Sequence, residues 1–242
     1  MRSLRFYYPG PYQWNEAFSL PDTIFRHAIQ VLRLKAGAEI QLFDGEGAEY
    51  LAEITDVAKR EAKARLTSEV ENNSESPLPV FLLQGISRGE RMDYAIQKAV
   101  ELGVQHIVPV ITERCNVQLQ GERADKRWAH WHGVMVSACE QSGRAVLPTL
   151  APVVDLSDAL ANSQTDCKLV LDPTADQGFS GLAKQKAVTL LIGPEGGLSD
   201  SEILDAKQSG YTALRFGPRI LRTETASAAA LAIVQASWGD IG

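Results

Sequence analysis

Residues 188–202 read Val-Thr-Leu-Leu-Ile-Gly-Pro-Glu-Gly-Gly-Leu-Ser-Asp-Ser-Glu. These types and spacings could hold a small ligand through backbone groups, with one carboxylate, Glu195, inside the turn. Val188 to Ile192 has the length and composition of a buried strand. Gly193-Pro194 ends it, because proline has no N–H for a ladder. Gly196 and Gly197 can both take positive φ. Ser199 and Glu202 have the spacing of a capping box, which predicts a helix starting near Asp200. In an open α/β sheet a ligand binds beyond the carboxyl end of such a strand. The glycines are not followed by the Lys-Ser/Thr of a P-loop, and Gly193, Gly196 and Gly197 do not make the dinucleotide pattern. Glu195 disfavours a phosphate and suits ribose hydroxyls or a cationic ligand. The plain alternative is a tight turn with Glu195 in water.

A second stretch of the same kind follows. Thr212 to Phe216 reads as a short strand, and Gly217-Pro218-Arg219-Ile220-Leu221-Arg222-Thr223-Glu224-Thr225-Ala226 leads into an Ala-rich helix ending at Trp238. Together the two Gly-Pro loops resemble the signature of the SPOUT class of RNA methyltransferases. The wording Ile-Gly-Pro-Glu-Gly-Gly with Leu-Arg-Thr-Glu-Thr-Ala is similar to one family within it, the RsmE family. Further matches are Lys98-x-x-Glu101-Leu102-Gly103 and Glu140-Gln141-Ser142-x-Arg144. The resemblance spans nearly the whole chain. It implies an α/β fold: an N-terminal PUA-like β-barrel that binds RNA, and a C-terminal SPOUT-type domain with a deep trefoil knot. It implies S-adenosylmethionine as cofactor and N3 of a uridine in 16S ribosomal RNA, within the small ribosomal subunit, as target. It also implies a homodimer.

The site residues that follow belong to that resemblance. Backbone groups of Ile192, Gly193, Gly197, Leu214 and Leu221, with Gly196 in the same loop, are expected to clamp adenosine. Leu171, Leu214 and Leu221 are expected to wall the adenine. Thr223 and Thr225 would bond the cofactor or cap the last helix. Uridine N3 carries a proton, so its attack needs a base or stabilisation of the deprotonated ring. Arg219 and Arg222 suit the second task, and Glu224 or Glu140 the first. Arg5, Arg26, Arg33, Lys98, Gln141 and Arg144 are the expected RNA contacts. For each arginine the structural alternative is pairing with a carboxylate. Lys98 and Glu101 could equally form a surface ion pair, and Glu140 to Arg144 an ordinary helix C-terminus.

The elements that must position these groups fall into two parts. The chain has 242 residues, 45% of them apolar, enough for one large domain or two modest ones. Residues 1–70 are expected to form the barrel. Strands are predicted at Leu4–Tyr8, Glu39–Phe43, Glu49–Thr55 and Ala62–Val70. One helix is predicted from Asp22, as N-cap, to Leu34, with Ile24, Phe25, Ala28, Val31 and Leu32 as its apolar stripe. Residues 71–79 are polar and end in two prolines, and read as a linker. Residues 80–242 alternate strands and helices: strands at Val80–Ile86, His106–Val110 and Lys168–Leu171, and helices at Arg88–Leu102, Glu122–Gln141 and Asp155–Ala161. That alternation predicts a mostly parallel sheet covered on both faces. Asp172-Pro173 would give the ligand site a third wall.

Composition excludes several other classes. No run of about eighteen apolar residues occurs, so no membrane-spanning helix is expected, and the first residues lack the apolar core of a signal peptide. Cys115, Cys139 and Cys167 are odd in number and widely spaced, which suits a reducing cytoplasm. No metal is expected, because His130 and His132 diverge on a helix and no cysteine pair has ligand spacing. No Gly-x-Ser-x-Gly elbow is present. The net charge of −6 opposes a dedicated nucleic-acid binder. However, residues 1–35 carry Arg2, Arg5, Arg26, Arg33 and Lys35 against Glu16 and Asp22 only, a local basic face. Two other readings stay open: a SPOUT enzyme acting on a ribose 2′-hydroxyl, and a non-catalytic RNA-binding protein that keeps the pocket.

Overall fold

A computed structural model describes residues 4–115, 119 and 121–242; Arg2 of the basic N-terminal stretch lies outside them. The chain divides into two compact units, Met1–Glu75 with Cys139–Leu147, and Ser76–Ala138 with Pro148–Gly242.

The first unit is built on a five-stranded sheet in the order β1-β3-β4-β5-β2. The strands are β1 (Arg5–Tyr7), β2 (Phe18–Ser19), β3 (Glu39–Phe43), β4 (Glu49–Val57) and β5 (Ala62–Val70). β1 runs parallel to β3, and the remaining pairs are antiparallel. Alternate residues face one core, in which Ile40, Leu42, Ala52, Ile54 and Ala64 are wholly buried. β1 and β2 are the edges of this sheet, with no pairing between them among the described residues.

The helix expected from Asp22 to Leu34 takes a different form. Pro21 is the N-cap, α1 (Asp22–Ile24) is a single turn, and Phe25–Val31 is a π-helix. Its i→i+5 hydrogen bonds shift the angular position of each later side chain, so a stripe read at 3.6 residues per turn drifts off the core. Ile24, Phe25 and Ala28 are buried as expected. Val31 is 68% exposed and Leu32 37%, against expectation.

Two arginines expected at an RNA surface are structural. The side chain of Arg5 is 8% exposed and lies 2.7 Å from Glu49, whose own side chain is 2% exposed. Arg5 also donates to the Cys139 carbonyl at 2.9 Å and the Arg144 carbonyl at 3.2 Å. The side chain of Arg144 is 4% exposed and pairs with Glu75 at 2.6 Å. A buried guanidinium remains charged and must be paired, and both these partners are far away in sequence. The segment carrying Glu75 therefore packs within the first unit, with Asn72 donating to Glu49 at 2.6 Å and to the Gly143 carbonyl at 2.9 Å.

The second unit is a parallel seven-stranded sheet ordered β12-β10-β11-β6-β7-β8, with β9 also on β7. Its strands are β6 (Val80–Gly85), β7 (His106–Ile111), β8 (Thr149–Leu150), β9 (Val154–Asp155), β10 (Cys167–Leu171), β11 (Val188–Ile192) and β12 (Thr212–Leu214). β11, between β6 and β10, is buried along its whole length, as an interior parallel strand must be. The helices are α2 (Glu90–Glu101), α3 (Glu122–Ser142), α4 (Leu156–Ala161), α5 (Asp200–Gln208) and α6 (Thr223–Trp238). The last turn of α3 belongs to the first unit.

α6 packs on α2. Ala226, Ala230, Leu231 and Val234 are buried along it, and wholly buried Gln235 donates to the Leu102 carbonyl at 3.0 Å and accepts from Ser76 at 2.8 Å. Gly103 ends α2 at φ +77°, and a Cβ there would lie 2.8 Å from the Gln235 amide. On α2, Lys98 pairs with Glu101 at 2.7 Å and lies 5.6 Å above the Tyr94 ring, a partly buried local cluster.

Candidate functional site

The carboxyl ends of β10, β11 and β12, with the first turn of α6 and one face of α5, enclose a cavity of about 730 Å³. Each wall has a local cause. β10 stops at Asp172, which is buried and whose Oδ1 accepts from the Thr174 N–H at 2.8 Å and hydroxyl at 2.7 Å. This Asx turn bends Pro173 and Thr174 into the lining. β11 stops at Gly193-Pro194. Ser199 then accepts from the Glu202 N–H at 3.3 Å, and Glu202 accepts from the Ser199 N–H at 2.8 Å, the reciprocal capping box that starts α5 at Asp200. The other Glu202 oxygen accepts from the Glu113 N–H at 2.7 Å, joining the segment after β7 to the same loop.

The β11 loop is held from three sides. Arg114, which sequence reasoning did not single out, donates at 3.2 Å to both the Gly196 and Leu198 carbonyls. Glu195 does not point into water: it accepts from the Arg88 N–H at 2.8 Å and from Arg91 at 3.0 Å. Burial alone would raise its carboxyl, but these bonds, its own N–H and the Arg91 charge outweigh that and hold it below the usual carboxylate value. Among the described residues its other oxygen, which is buried, has no hydrogen-bond partner. From below, Thr223 donates to the Gly193 carbonyl at 2.6 Å and accepts from Gln84 at 3.1 Å. Gln84 in turn accepts from Ser227. Gln84 is wholly buried on β6; a polar residue interrupting an apolar strand is the signal that marks it.

Two glycines are required here, one by packing and one by backbone conformation. A Cβ on Gly85 would sit 2.5 Å from the Pro194 nitrogen, so β6 and the β11 turn touch backbone to backbone. Gly197 takes φ +69° and has open space where a Cβ would project. Gly196, expected to share that freedom, does not adopt positive φ.

Leu171, Ile192, Gly193, Gly196, Gly197, Leu214, Leu221 and Thr223 line the cavity, as does Arg219. Thr225 does not. It is exposed on α6, because Arg222 is the N-cap and Thr223 the first helical residue, which turns Thr225 away. Thr223 is not a side-chain cap; its hydroxyl is engaged by Gly193 and Gln84. Arg222 is exposed and Glu224 half-buried, with one carboxylate oxygen of Glu224 lacking a partner among the described residues; neither lines the cavity.

Glu140 belongs to the first unit. Burial pushes its carboxyl up, against a hydrogen bond from the Tyr7 N–H at 3.1 Å and the charges of His27 and Arg5. Of the basic residues expected to meet RNA, Arg26 and Arg33 are exposed, and Gln141 is exposed at the end of α3. Among the described residues no group of His, Cys, Asp and Glu could hold a metal ion.

The sequence matches a family model described as an RNA methyltransferase domain over residues 74–235, and one described as an RNA methyltransferase PUA domain over residues 20–67. The ribosomal RNA small subunit methyltransferase E of Buchnera aphidicola subsp. Schizaphis graminum is 35% identical over 231 residues, covering 95% of this chain and 94% of that protein. A methyltransferase of Legionella pneumophila, solved with bound SAM, superposes with a TM-score of 0.96 at 40% identity, covering 99% of this chain and 100% of that one. The ribosomal RNA small subunit methyltransferase E of Neisseria gonorrhoeae, bound to S-adenosyl methionine, gives a TM-score of 0.93 at 40% identity with full coverage of both chains, 100% each.

Proposed function

The chain belongs to the ribosomal RNA small subunit methyltransferase E family, and from that membership we propose that it methylates a uridine of 16S ribosomal RNA at N3 with S-adenosylmethionine as cofactor. The observation that carries the reading is the cavity at the three strand ends. Its volume of about 730 Å³ falls within the range of small-molecule sites. Its composition also fits a nucleoside. Leu171, Ile192, Leu214 and Leu221 give an apolar slot for the adenine. The Gly193–Gly197 turn brings backbone groups to the ribose, with the space at Gly197 left open. The Legionella and Neisseria relatives bind this cofactor in chains of the same fold.

The cofactor supplies an activated methyl group, so the protein's work is to orient the uracil and manage one proton. Arg219 on the cavity wall and exposed Arg222 at the head of α6 would stabilise the deprotonated uracil ring by charge. Glu224, two residues into α6 with one oxygen that has no partner among the described residues, is the carboxylate nearest in sequence to those arginines and is assigned the proton. The first unit, with Arg26 and Arg33 exposed, is assigned to ribosomal RNA, within the assembled small subunit. Residues 80–242 are assigned the transfer chemistry, the chain forming a trefoil knot, a homodimer and a cytoplasmic enzyme. Among the described residues no helix is long and apolar enough to cross a membrane.

The test is incubation of the full-length protein with methyl-labelled S-adenosylmethionine and small ribosomal subunits that lack the modification. Label in 16S ribosomal RNA supports the reading. Cofactor binding with no label transferred to RNA overturns it.

A further inference from the structure

The π-helix of the first unit turns two large apolar side chains out of the protein. Val31 is 68% exposed and Leu32 37%. Both sides of the pair are anchored: Ala28 is wholly buried, and Ile29 and Leu34 pack on the core. The Leu32 N–H reaches the His27 carbonyl, and the Leu34 N–H the Ala28 carbonyl, each at 2.9 Å. Between them Arg33 takes φ +58°, the left-handed conformation that closes many helices and that non-glycine residues adopt uncommonly. At α-helical spacing Val31 and Leu32 would share the stripe of Ile24, Phe25 and Ala28. The π-turn, a rare geometry often found at functional sites, gives up that burial and fixes the pair at the surface instead.

The surroundings identify what this tip fits. Arg26, Arg33 and Lys35 are exposed on the same segment, and none has an ion-pair partner among the described residues. Between residues 21 and 36 only Asp22 opposes them, in a chain whose net charge is −6. An exposed apolar tip rimmed by these cations is complementary to a polyanion with apolar faces, which a nucleic acid with unstacked bases provides. Nucleic-acid binders use this combination, with aliphatic side chains entered between bases and basic ones on the phosphates.

We propose that Val31 and Leu32 form a preset wedge that packs against unstacked bases of ribosomal RNA, while Arg26, Arg33 and Lys35 hold the flanking phosphates. This rests on the function proposed above and adds which side chains make the uncharged part of the RNA contact. The test measures binding of the full-length protein to small ribosomal subunits that lack the modification, over a range of salt concentrations. The double variant Val31→Ser, Leu32→Ser changes only exposed side chains. It is expected to bind about 10-fold more weakly at every salt concentration. Its slope of log affinity against log salt should equal that of the wild type, because the lost contact releases no counterions. Arg26→Gln should instead reduce that slope by about 0.7–0.9. Calorimetry should show unchanged S-adenosylhomocysteine binding in all three proteins. A double variant that binds RNA like the wild type overturns the wedge, as does one whose loss appears as a changed slope. A changed oligomeric state would assign the tip to a second copy and overturn it too. Wild-type protein that neither binds nor methylates these subunits contradicts the function itself, a distinct outcome.

Discussion

Thr223→Val asks whether one hydroxyl at the head of α6 holds the cofactor turn in shape. The substitution keeps the shape of the side chain and removes its hydrogen bonding. Thr223 is buried, donating to the Gly193 carbonyl at 2.6 Å and accepting from Gln84 at 3.1 Å. Without the hydroxyl the Gly193 carbonyl loses a donor, and the side-chain NH2 of Gln84 keeps its bond to the Gly85 carbonyl at 3.1 Å but loses its second acceptor. A buried polar group left unpaired costs about 1–3 kcal/mol. Gly193 borders the cavity and can be rehydrated, so the Gln84 amide sets the figure. We expect a loss of about 2 kcal/mol, or roughly 30-fold in the ratio of folded to unfolded protein. If half of that reappears as the cost of reordering the turn on binding, affinity for S-adenosylhomocysteine falls about 5-fold. Urea denaturation reads the first number and calorimetry the second. Ser227→Ala is the control: it removes a donor to Gln84 but leaves the Thr223–Gly193 bond in place. It should lower stability without weakening binding. A Thr223→Val protein that binds as tightly as the wild type would rule out this role for the hydroxyl, and so would equal weakening by Ser227→Ala.

Gly197→Val places a β-branched side chain at φ +69° and projects it into open space by the cavity, so S-adenosylhomocysteine affinity should fall by more than about 10-fold. Gly197→Asn, which tolerates that φ, should lose less in the same titration. Glu195 has its carboxyl held below the ordinary value of 4.5. It therefore contributes stability that is present above pH 4.5 and lost as pH falls through its folded value. Glu195→Gln should be less stable than wild type at neutral pH, with the difference shrinking below pH 4.5 in thermal denaturation; a constant difference would contradict the assignment. Arg5→Ala leaves the buried Glu49 carboxylate without its cation and should cost about 3–5 kcal/mol in chemical denaturation. Weakened RNA binding at unchanged stability would return Arg5 to the RNA surface.

The parts of the molecule that were legible in sequence are those whose causes are local. The capping box at Ser199 and Glu202 starts α5 at the expected residue, and β11 spans the expected five residues, Val188–Ile192. Both signals lie within a few positions of what they specify. The π-helix was not legible, because its apolar residues also satisfy α-helical spacing and nothing local distinguishes i→i+5 from i→i+4 bonding. Arg5 and Arg144 were misread for the opposite reason. The carboxylates that bury them, Glu49 and Glu75, lie 44 and 69 residues away in sequence, and a lone sequence does not pair distant charges. Thr225 was misplaced by helix phase: with Arg222 as N-cap, Thr223 faces the Gly193 turn and Thr225 faces solvent. Arg114 was missed because its role, strapping the carbonyls of Gly196 and Leu198, follows from sheet order. β6 lies between β7 and β11, so the segment after β7 meets the β11 loop.

Placement of the methyl group on the uracil ring separates the proposed enzyme from one that modifies ribose. It is tested most directly by locating that group. Small-subunit ribosomal RNA, methylated by the full-length protein with labelled S-adenosylmethionine, would be digested to nucleosides and fragmented in a mass spectrometer. The expected product is a uridine whose added mass stays with the base, at N3, formed at a rate that rises with pH as the N3 proton becomes easier to remove. A methyl group that stays with the ribose fragment would contradict that placement.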